Sequence, residues 1–207
     1  MKISFHGADR GVTGSCHLVE CAGKRILIDC GLYQGSRELD EENAEPFGFD
    51  AASINYVLLT HAHLDHCGRL PLLAKRGFRG EIITTSASRE LVRLVLLDAA
   101  HLLEEDVRHS AGRVGHDGTT HDTKVPLYST LDALNCLDYF GRTAVYSQVL
   151  EVAAGVHATF IDAGYPGLGK HFPGARGTGP SNQRAFLGGP GQHRSPAAAQ
   201  PCDATAR

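Results

Sequence analysis

The sequence predicts an α/β domain over residues 1–164 and a disordered tail over residues 165–207. Up to Gly164, short apolar runs typical of strands alternate with helical patterns, without the regular βαβ repeat of a doubly wound fold. Within the segment from Arg25 to Asp29, the three apolar residues 26–28 would be buried on both faces, which implies a covering layer on each side of the sheet. After Gly164 the composition changes: the tail holds 8 Gly, 6 Pro and a single acidic residue. That composition is typical of disorder.

Composition excludes several classes of protein. The chain has 207 residues and a formal charge of −3. The total charge therefore does not indicate a positively charged surface for binding nucleic acid or anionic lipid. No apolar run approaches the roughly 20 residues of a membrane span, and the first ten residues lack the apolar stretch of a signal peptide. Six cysteines without a Cys-x-x-Cys pair argue against a disulfide framework and favour buried thiols. We expect a soluble, cytoplasmic protein with no membrane partner.

The elements follow from local patterns. Strands are predicted at residues 2–5, 17–20, 25–29, 55–60, 81–85, 150–152 and 156–161. A short helix is predicted from Arg69 to Arg76, closed by Gly77, and a long one from Ser86 or Ser88 to about Val107. On the long helix an apolar stripe, interrupted by Asp98, includes Leu91, Leu94, Val95 and Leu102.

Four potential metal ligands lie within six residues, directly after the strand at residues 55–60: His61, His63, Asp65 and His66. In an extended segment, side chains two residues apart project to the same side, so His61 and His63 can converge on one ion. The chain then turns into a helix, which carries Asp65 and His66 towards a second ion. Imidazole nitrogens and carboxylate oxygens suit zinc, and two ions roughly 3.5 to 4 Å apart can share a hydroxide. The alternative is a polar loop whose histidines are neighbours by chance.

This motif, following residues 56–60, resembles the metal-binding motif of the metallo-β-lactamase superfamily. Four further segments are similar to its β-CASP branch of RNA-cleaving enzymes: residues 7–15, 27–35, 68–71 and 96–100. The resemblance covers residues 1–164 and implies a partial metallo-β-lactamase αββα sandwich. The β-CASP insert and the half of the sandwich that closes the second sheet are absent from the pattern.

The resemblance also implies a set of residue roles. His61 and His63 would hold the first zinc ion, and Asp65 and His66 the second, with Asp65 also orienting the bridging water. Asp29 would contact the metal ligands and fix their geometry without binding the metal itself. The alternative is that its carboxylate caps a turn before Gly31. The reaction would be hydrolysis of an RNA phosphodiester by a hydroxide activated by both metal ions. RNA would be the partner, and an intact family member can form a homodimer.

The sequence departs from the family pattern at Tyr165, where the family has the third histidine of the first zinc site. No bridging aspartate matches either, because Asp203 is the one acidic residue of the tail. We therefore expect a truncated or frameshifted chain whose tail is out-of-register translation from near codon 165. Zinc held by two imidazoles lacks the three ligands of a catalytic site, so we expect little or no nuclease activity.

Two other functions stay open at this point. One is a small-molecule hydrolase of the same superfamily, acting on a thioester or a lactam, which a substrate panel would separate from a ribonuclease. The other is a non-catalytic metal- or RNA-binding remnant, which would hold one zinc ion loosely where an enzyme holds two tightly. The four arginines of the tail are weak support for RNA binding.

Overall fold

The computed structural model describes residues 1–9, 11–35, 37–111, 125–163 and 183–188. Two β-sheets pack face to face, and helices cover the outer face of the larger sheet. This is the helix–sheet–sheet part of an αββα sandwich, so the predicted α/β fold class is confirmed.

The strands are β1 (Lys2–Phe5), β2 (His17–Cys21), β3 (Lys24–Ile28), β4 (Tyr56–Leu58), β5 (Glu81–Thr85), β6 (Phe140–Ala144), β7 (Val149–Ala153), β8 (Val156–Asp162) and β9 (Gln183–Gly188). The helices are α1 (Arg37–Glu42), α2 (Leu64–Cys67), α3 (Leu70–Lys75), α4 (Ser86–Ala111) and α5 (Thr130–Leu137), with a short 3-10 helix at Ala51–Ser53. The larger sheet has the order β1-β2-β3-β4-β5-β6, and the smaller one has the order β7-β8-β9. Strands β1 to β3 are antiparallel, whereas β3 to β6 run parallel.

The central strand β3 shows why the fold is layered. Leu27 packs into the core beneath the helices, while Ile26 and Ile28 pack into the core between the two sheets. All three side chains are at most 2 % exposed. Burial of both faces explains the continuous apolar run in the sequence.

The long helix α4 packs differently from the sequence prediction. Its buried residues include Val92, Leu96 and Ala100, whereas Leu91 and Leu94 are exposed. The apolar stripe predicted from the sequence therefore lies mainly on the solvent side of the helix. Leucine is so frequent on α4 that two faces qualify as apolar, and only the position of the sheet selects between them. No helix in the described part of the chain has the length and apolar character of a membrane span.

The tail contains one element that the sequence did not predict. Strand β9 pairs antiparallel with β8 over residues 183–188, so the prediction of a tail without regular structure is corrected for these six residues. An edge strand offers unpaired backbone groups to any extended segment, whatever its composition. The rest of the predicted tail lies outside the described residues.

Candidate metal centre

The predicted ligands lie at the carboxyl end of two neighbouring parallel strands. Ile28 of β3 and Leu58 of β4 are paired in register, so Asp29 and the loop that begins at Leu59 leave the sheet side by side. Crevices at the carboxyl ends of parallel strands are the usual position of ligand sites in open α/β sheets. The topology therefore brings Asp29 next to residues 60–66, although 31 positions separate Asp29 from Thr60.

Three imidazole rings cluster in this loop. The ring centroids of His61 and His63 are 4.6 Å apart, and those of His61 and His66 are 4.0 Å apart. His61 Nε2 lies 3.1 Å from His63 Nδ1, and His66 Nε2 lies 3.5 Å from an oxygen of Asp65. The structure thus brings together all four residues that the sequence proposed as ligands.

Asp29 lies behind this cluster and is 2 % exposed. Its carboxylate accepts hydrogen bonds from the Thr60 backbone N–H at 2.8 Å and from the Thr60 hydroxyl at 2.9 Å. Its other oxygen lies 2.7 Å from His66 Nδ1 and accepts from Ser15 Oγ at 3.2 Å. The buried carboxylate therefore fixes the orientation of both Thr60 and His66, whereas the alternative of a turn cap alone leaves these contacts unexplained.

The hydrogen bonds also assign the protons on the rings. Because the Thr60 hydroxyl donates to Asp29, it accepts from His61 Nδ1 at 3.0 Å. Burial, followed by the charge of His66, lowers the pKa of His61 to about 4, so this ring is neutral at pH 7. A neutral ring that carries its proton on Nδ1 presents a bare Nε2 towards His63.

His66 behaves in the opposite way. Burial acts to lower its pKa, but the hydrogen bond to Asp29 and the negative charges of Asp29 and Asp65 raise it above the ordinary value. The ring donates its Nδ1 proton to Asp29, so Nε2 is the nitrogen left to bind a ligand on the side of Asp65. A histidine that donates to a carboxylate through its far nitrogen is the usual arrangement behind a protein metal ion.

These contacts fit zinc as two pairs of ligands. Two nitrogens about 2.0 to 2.1 Å from one tetrahedral zinc ion are separated by about 3.3 Å, close to the 3.1 Å between His61 and His63. Asp65 and His66 form the second pair. Across residues 1–9, 11–35, 37–111, 125–163 and 183–188, no group of three His, Cys, Asp or Glu side chains is placed to hold one ion.

The backbone of the loop is held by the strands beside it. Cys30 N–H donates to the His66 carbonyl, and Ser15 N–H donates to the Asp65 carbonyl, both at 2.8 Å. Gly31 lies so close to this turn that a Cβ atom there would overlap the Asp65 carbonyl. The close approach requires glycine and keeps α2 against the end of β3.

Sequence reasoning missed two residues of the site. Thr60 ends the predicted strand at residues 55–60, and Ser15 belongs to the family-like segment of residues 7–15; the sequence assigns neither a role, yet both donate to Asp29. A hydroxyl residue directly before the histidines was the available signal for Thr60. Two histidines that the sequence left outside the site, His101 and His157, are exposed on α4 and β8. Tyr165 and Asp203 lie outside the described residues.

A layered α/β fold with imidazoles and carboxylates at the ends of parallel strands defines the general class, an α/β sandwich with a candidate metal centre at one edge of its sheet. The model of the metallo-beta-lactamase superfamily matches residues 9–129, and the chain belongs to that superfamily.

Three relatives indicate which members of the superfamily this chain resembles. Ribonuclease TTHA0252 of Thermus thermophilus is 50% identical over 105 residues, which are 51% of this chain and 24% of that protein. Transcription termination factor FttA of Methanosarcina mazei is 30% identical over 170 residues, 80% of this chain and 23% of that protein. Cleavage and polyadenylation specificity factor 73 of Drosophila melanogaster is 38% identical over 101 residues, which are 47% of this chain and 14% of that protein. The predicted resemblance to RNA-processing members is confirmed, and the chain spans about a quarter or less of each relative.

Proposed function

We propose that this chain carries the metal-binding part of a hydrolase that cleaves RNA phosphodiesters. The observation that supports this function best is the convergence of His61, His63, Asp65 and His66 in front of the buried carboxylate of Asp29. The 50% identity to a protein named as a ribonuclease supports RNA as the substrate class.

In this proposal His61 and His63 bind one zinc ion, and Asp65 and His66 bind a second. When bound, such ions supply Lewis-acid chemistry to a phosphodiester and lower the pKa of water. Asp29 accepts a hydrogen bond from Nδ1 of His66, which leaves Nε2 of that ring to bind a metal ion. The Thr60 hydroxyl accepts from Nδ1 of His61 and leaves Nε2 of His61 available in the same way. These two contacts orient the ligands before any ion arrives, which reduces the cost of ordering them.

The number of protein ligands determines how tightly the site should bind zinc. Each proposed ion has two ligands among the described residues, one fewer than the three protein ligands of a catalytic zinc site. We therefore expect weak zinc binding and slow cleavage by this 207-residue chain. Zinc affinity is for this reason a better first measurement than turnover.

The test combines zinc binding with cleavage of a fluorogenic RNA. We expect zinc-dependent, chelator-sensitive cleavage that His63→Ala abolishes, together with loss of zinc from the site. His101→Ala is the matched control, because His101 is an exposed histidine on α4 that has no part in the proposed site. Equal cleavage by the His63→Ala variant, or faster turnover of a thioester or a lactam than of RNA, would refute the proposal.

A further inference from the structure

A pair of buried thiols lies directly beneath the candidate metal centre. Cys16 and Cys30 are both 0 % exposed and belong to the same apolar core. Each cysteine directly follows a residue of the site, since Ser15 precedes Cys16 and Asp29 precedes Cys30. The pair is therefore connected through the backbone to the Ser15–Asp29 hydrogen bond of 3.2 Å.

A β-bulge at Asp29 places Cys30 opposite Cys16. His17 of β2 pairs with Ile28 of β3, and the next bond along runs from Gly31 N–H to the Ser15 carbonyl at 2.9 Å. Two residues, Asp29 and Cys30, thus lie opposite the single residue Cys16. Asp29 has a φ of 61°, in the left-handed region that the first residue of one class of bulge adopts.

The extra residue changes which way the strand faces. Along β3, Leu27 points to the core under the helices and Ile28 to the core between the sheets. After the bulge, Cys30 again belongs to the core under the helices, beside Cys16. The bulge therefore aims Asp29 at the site and returns Cys30 to the core that holds Cys16.

A buried positive charge accompanies the thiols. Arg69 is 3 % exposed, and in the described part of the chain it forms no ion pair with a carboxylate, while its Nη2 has no hydrogen-bond partner. Its Nε donates to the carbonyl of Gly31 at 2.7 Å, one residue from Cys30. Because this positive charge lies so near, it favours the thiolate form of Cys30.

We propose that Cys16 and Cys30 are a modification site that a hydroperoxide oxidises to a reversible disulfide. The Cys30 thiolate attacks one peroxide oxygen, forming an S–O bond and breaking the O–O bond, and the released oxygen leaves as water after taking a proton. The Cys16 sulfur then attacks the Cys30 sulfur, forming the S–S bond and expelling hydroxide, which takes the Cys16 proton. Two thiols lose two electrons to one peroxide, and a dithiol reverses the reaction.

The disulfide would change the position of Asp29. A disulfide bond is about 2.05 Å long, much shorter than the separation of two sulfur atoms that are not bonded to each other. Closing that gap pulls the backbone at Cys16 and Cys30 together, and with it the adjacent Ser15 and Asp29. Because Asp29 orients His66, oxidation is expected to weaken zinc binding by about 10- to 100-fold, a consequence that rests on the proposed function.

Peptide mapping of the full-length protein tests the site directly. The reduced protein is treated with a tenfold excess of hydrogen peroxide, and samples taken over hours are alkylated under denaturing conditions and digested with trypsin without reductant. A time course is needed because the oxidant reaches fully buried sulfurs only when this region opens locally. We expect a mass loss of about 2 Da and a link between the peptides of residues 11–24 and 26–37, both reversed by dithiothreitol.

Three variants assign the link. Cys21 shares a tryptic peptide with Cys16, so the link must persist in Cys21→Ser and disappear in Cys16→Ser and in Cys30→Ser. Should the last two variants fail to fold, the maps of the wild type and of Cys21→Ser still decide the question. A link through Cys21, or alkylatable Cys16 and Cys30 once Cys21 is fully oxidised, overturns the proposal.

Zinc titration of the reduced and oxidised protein separates the two proposals. No zinc binding by the reduced protein contradicts the proposed function and leaves the peptide map to judge the disulfide. Equal zinc affinity of both forms, with the link present, overturns the coupling between the thiol pair and Asp29.

Discussion

Replacing Asp29 by asparagine removes one negative charge from the centre of the site while keeping the size of the side chain. Asp29 is 2 % exposed and contacts Thr60, His66 and Ser15. Asparagine keeps an oxygen for the Thr60 backbone N–H but presents an amide group to one of the other two partners. The variant therefore loses at least one hydrogen bond to a charged group.

The size of the effect follows from these contacts. A hydrogen bond to a charged group contributes about 1.5–3 kcal/mol, and removing one partner of a buried ion pair costs about 3–5 kcal/mol. We expect Asp29→Asn to lower the free energy of unfolding by about 3 kcal/mol. We also expect the zinc affinity to fall about 10- to 100-fold, because His66 loses the group that orients it.

The sign of the pH dependence distinguishes this explanation from a simple packing defect. Asp29 raises the pKa of His66, so the stability from this contact is fully present below the ordinary value of 6.5 and is lost as the pH rises through the folded value. The difference in unfolding free energy between wild type and variant should therefore be larger at pH 5.5 than at pH 8.5. In the variant, burial dominates and the pKa of His66 should fall below its ordinary value.

Urea denaturation at both pH values and an NMR titration of the His66 ring measure these effects. Asp50→Asn is the matched control, since Asp50 is an exposed carboxylate that caps a 3-10 helix through Ala52 N–H. Asparagine caps equally well, so this change should alter stability little and equally at both pH values. An unchanged pKa of His66 in Asp29→Asn would refute the reasoning.

Three further perturbations follow from the structure. The pKa of His61 is lowered to about 4, so the folded protein loses up to about 3 kcal/mol of its free energy of unfolding as the pH falls from 6.5 to 4. His61→Gln should remove this loss. Arg142→Ala should lower stability by about 1–2 kcal/mol in thermal unfolding, because Arg142 bridges Glu81 of β5 and two carbonyls of β7. Gly31→Ala should lower the free energy of unfolding by about 3 kcal/mol, since the added Cβ would overlap the Asp65 carbonyl.

Each of these changes has a control of the same type. His101→Gln alters an exposed histidine of α4 and should leave in place the loss of stability that His61 causes at low pH. Lys2→Ala removes an exposed ion pair with Glu20 and should cost at most about 0.5 kcal/mol. Gly11→Ala adds a Cβ with no atom within 4 Å and should be tolerated. Equal effects of a variant and its control would contradict the contact that the pair tests.

The fold was predictable where the sequence pattern is compatible with a single structure. The apolar run of β3 can be buried only between two layers, and β1 and β5 begin and end at the predicted residues. The face of α4 was not predictable, because leucines lie on two sides of the helix and the choice depends on the distant sheet. Strand β9 was not predictable either, since its partner is the edge of β8 rather than a pattern of its own.

The same division holds for the site. Spacing alone placed His61, His63, Asp65 and His66 together, because residues of one loop stay close whatever the fold. Their contact with Asp29 depended on the pairing of β3 with β4, which the resemblance supplied and the spacing did not. The use of zinc and the reading-frame hypothesis for the tail stay predictions. The nucleotide sequence near codon 165 tests the latter.

The parallel pairing of β3 with β4 has an evolutionary consequence. In the described part of the chain, the side chains that form hydrogen bonds with Asp29 all lie between Ser15 and His66, within about one quarter of the sequence. A unit so local in sequence depends little on the rest of the chain. During evolution, substitutions outside residues 15–66 are therefore expected to disturb the geometry around Asp29 less than substitutions within them.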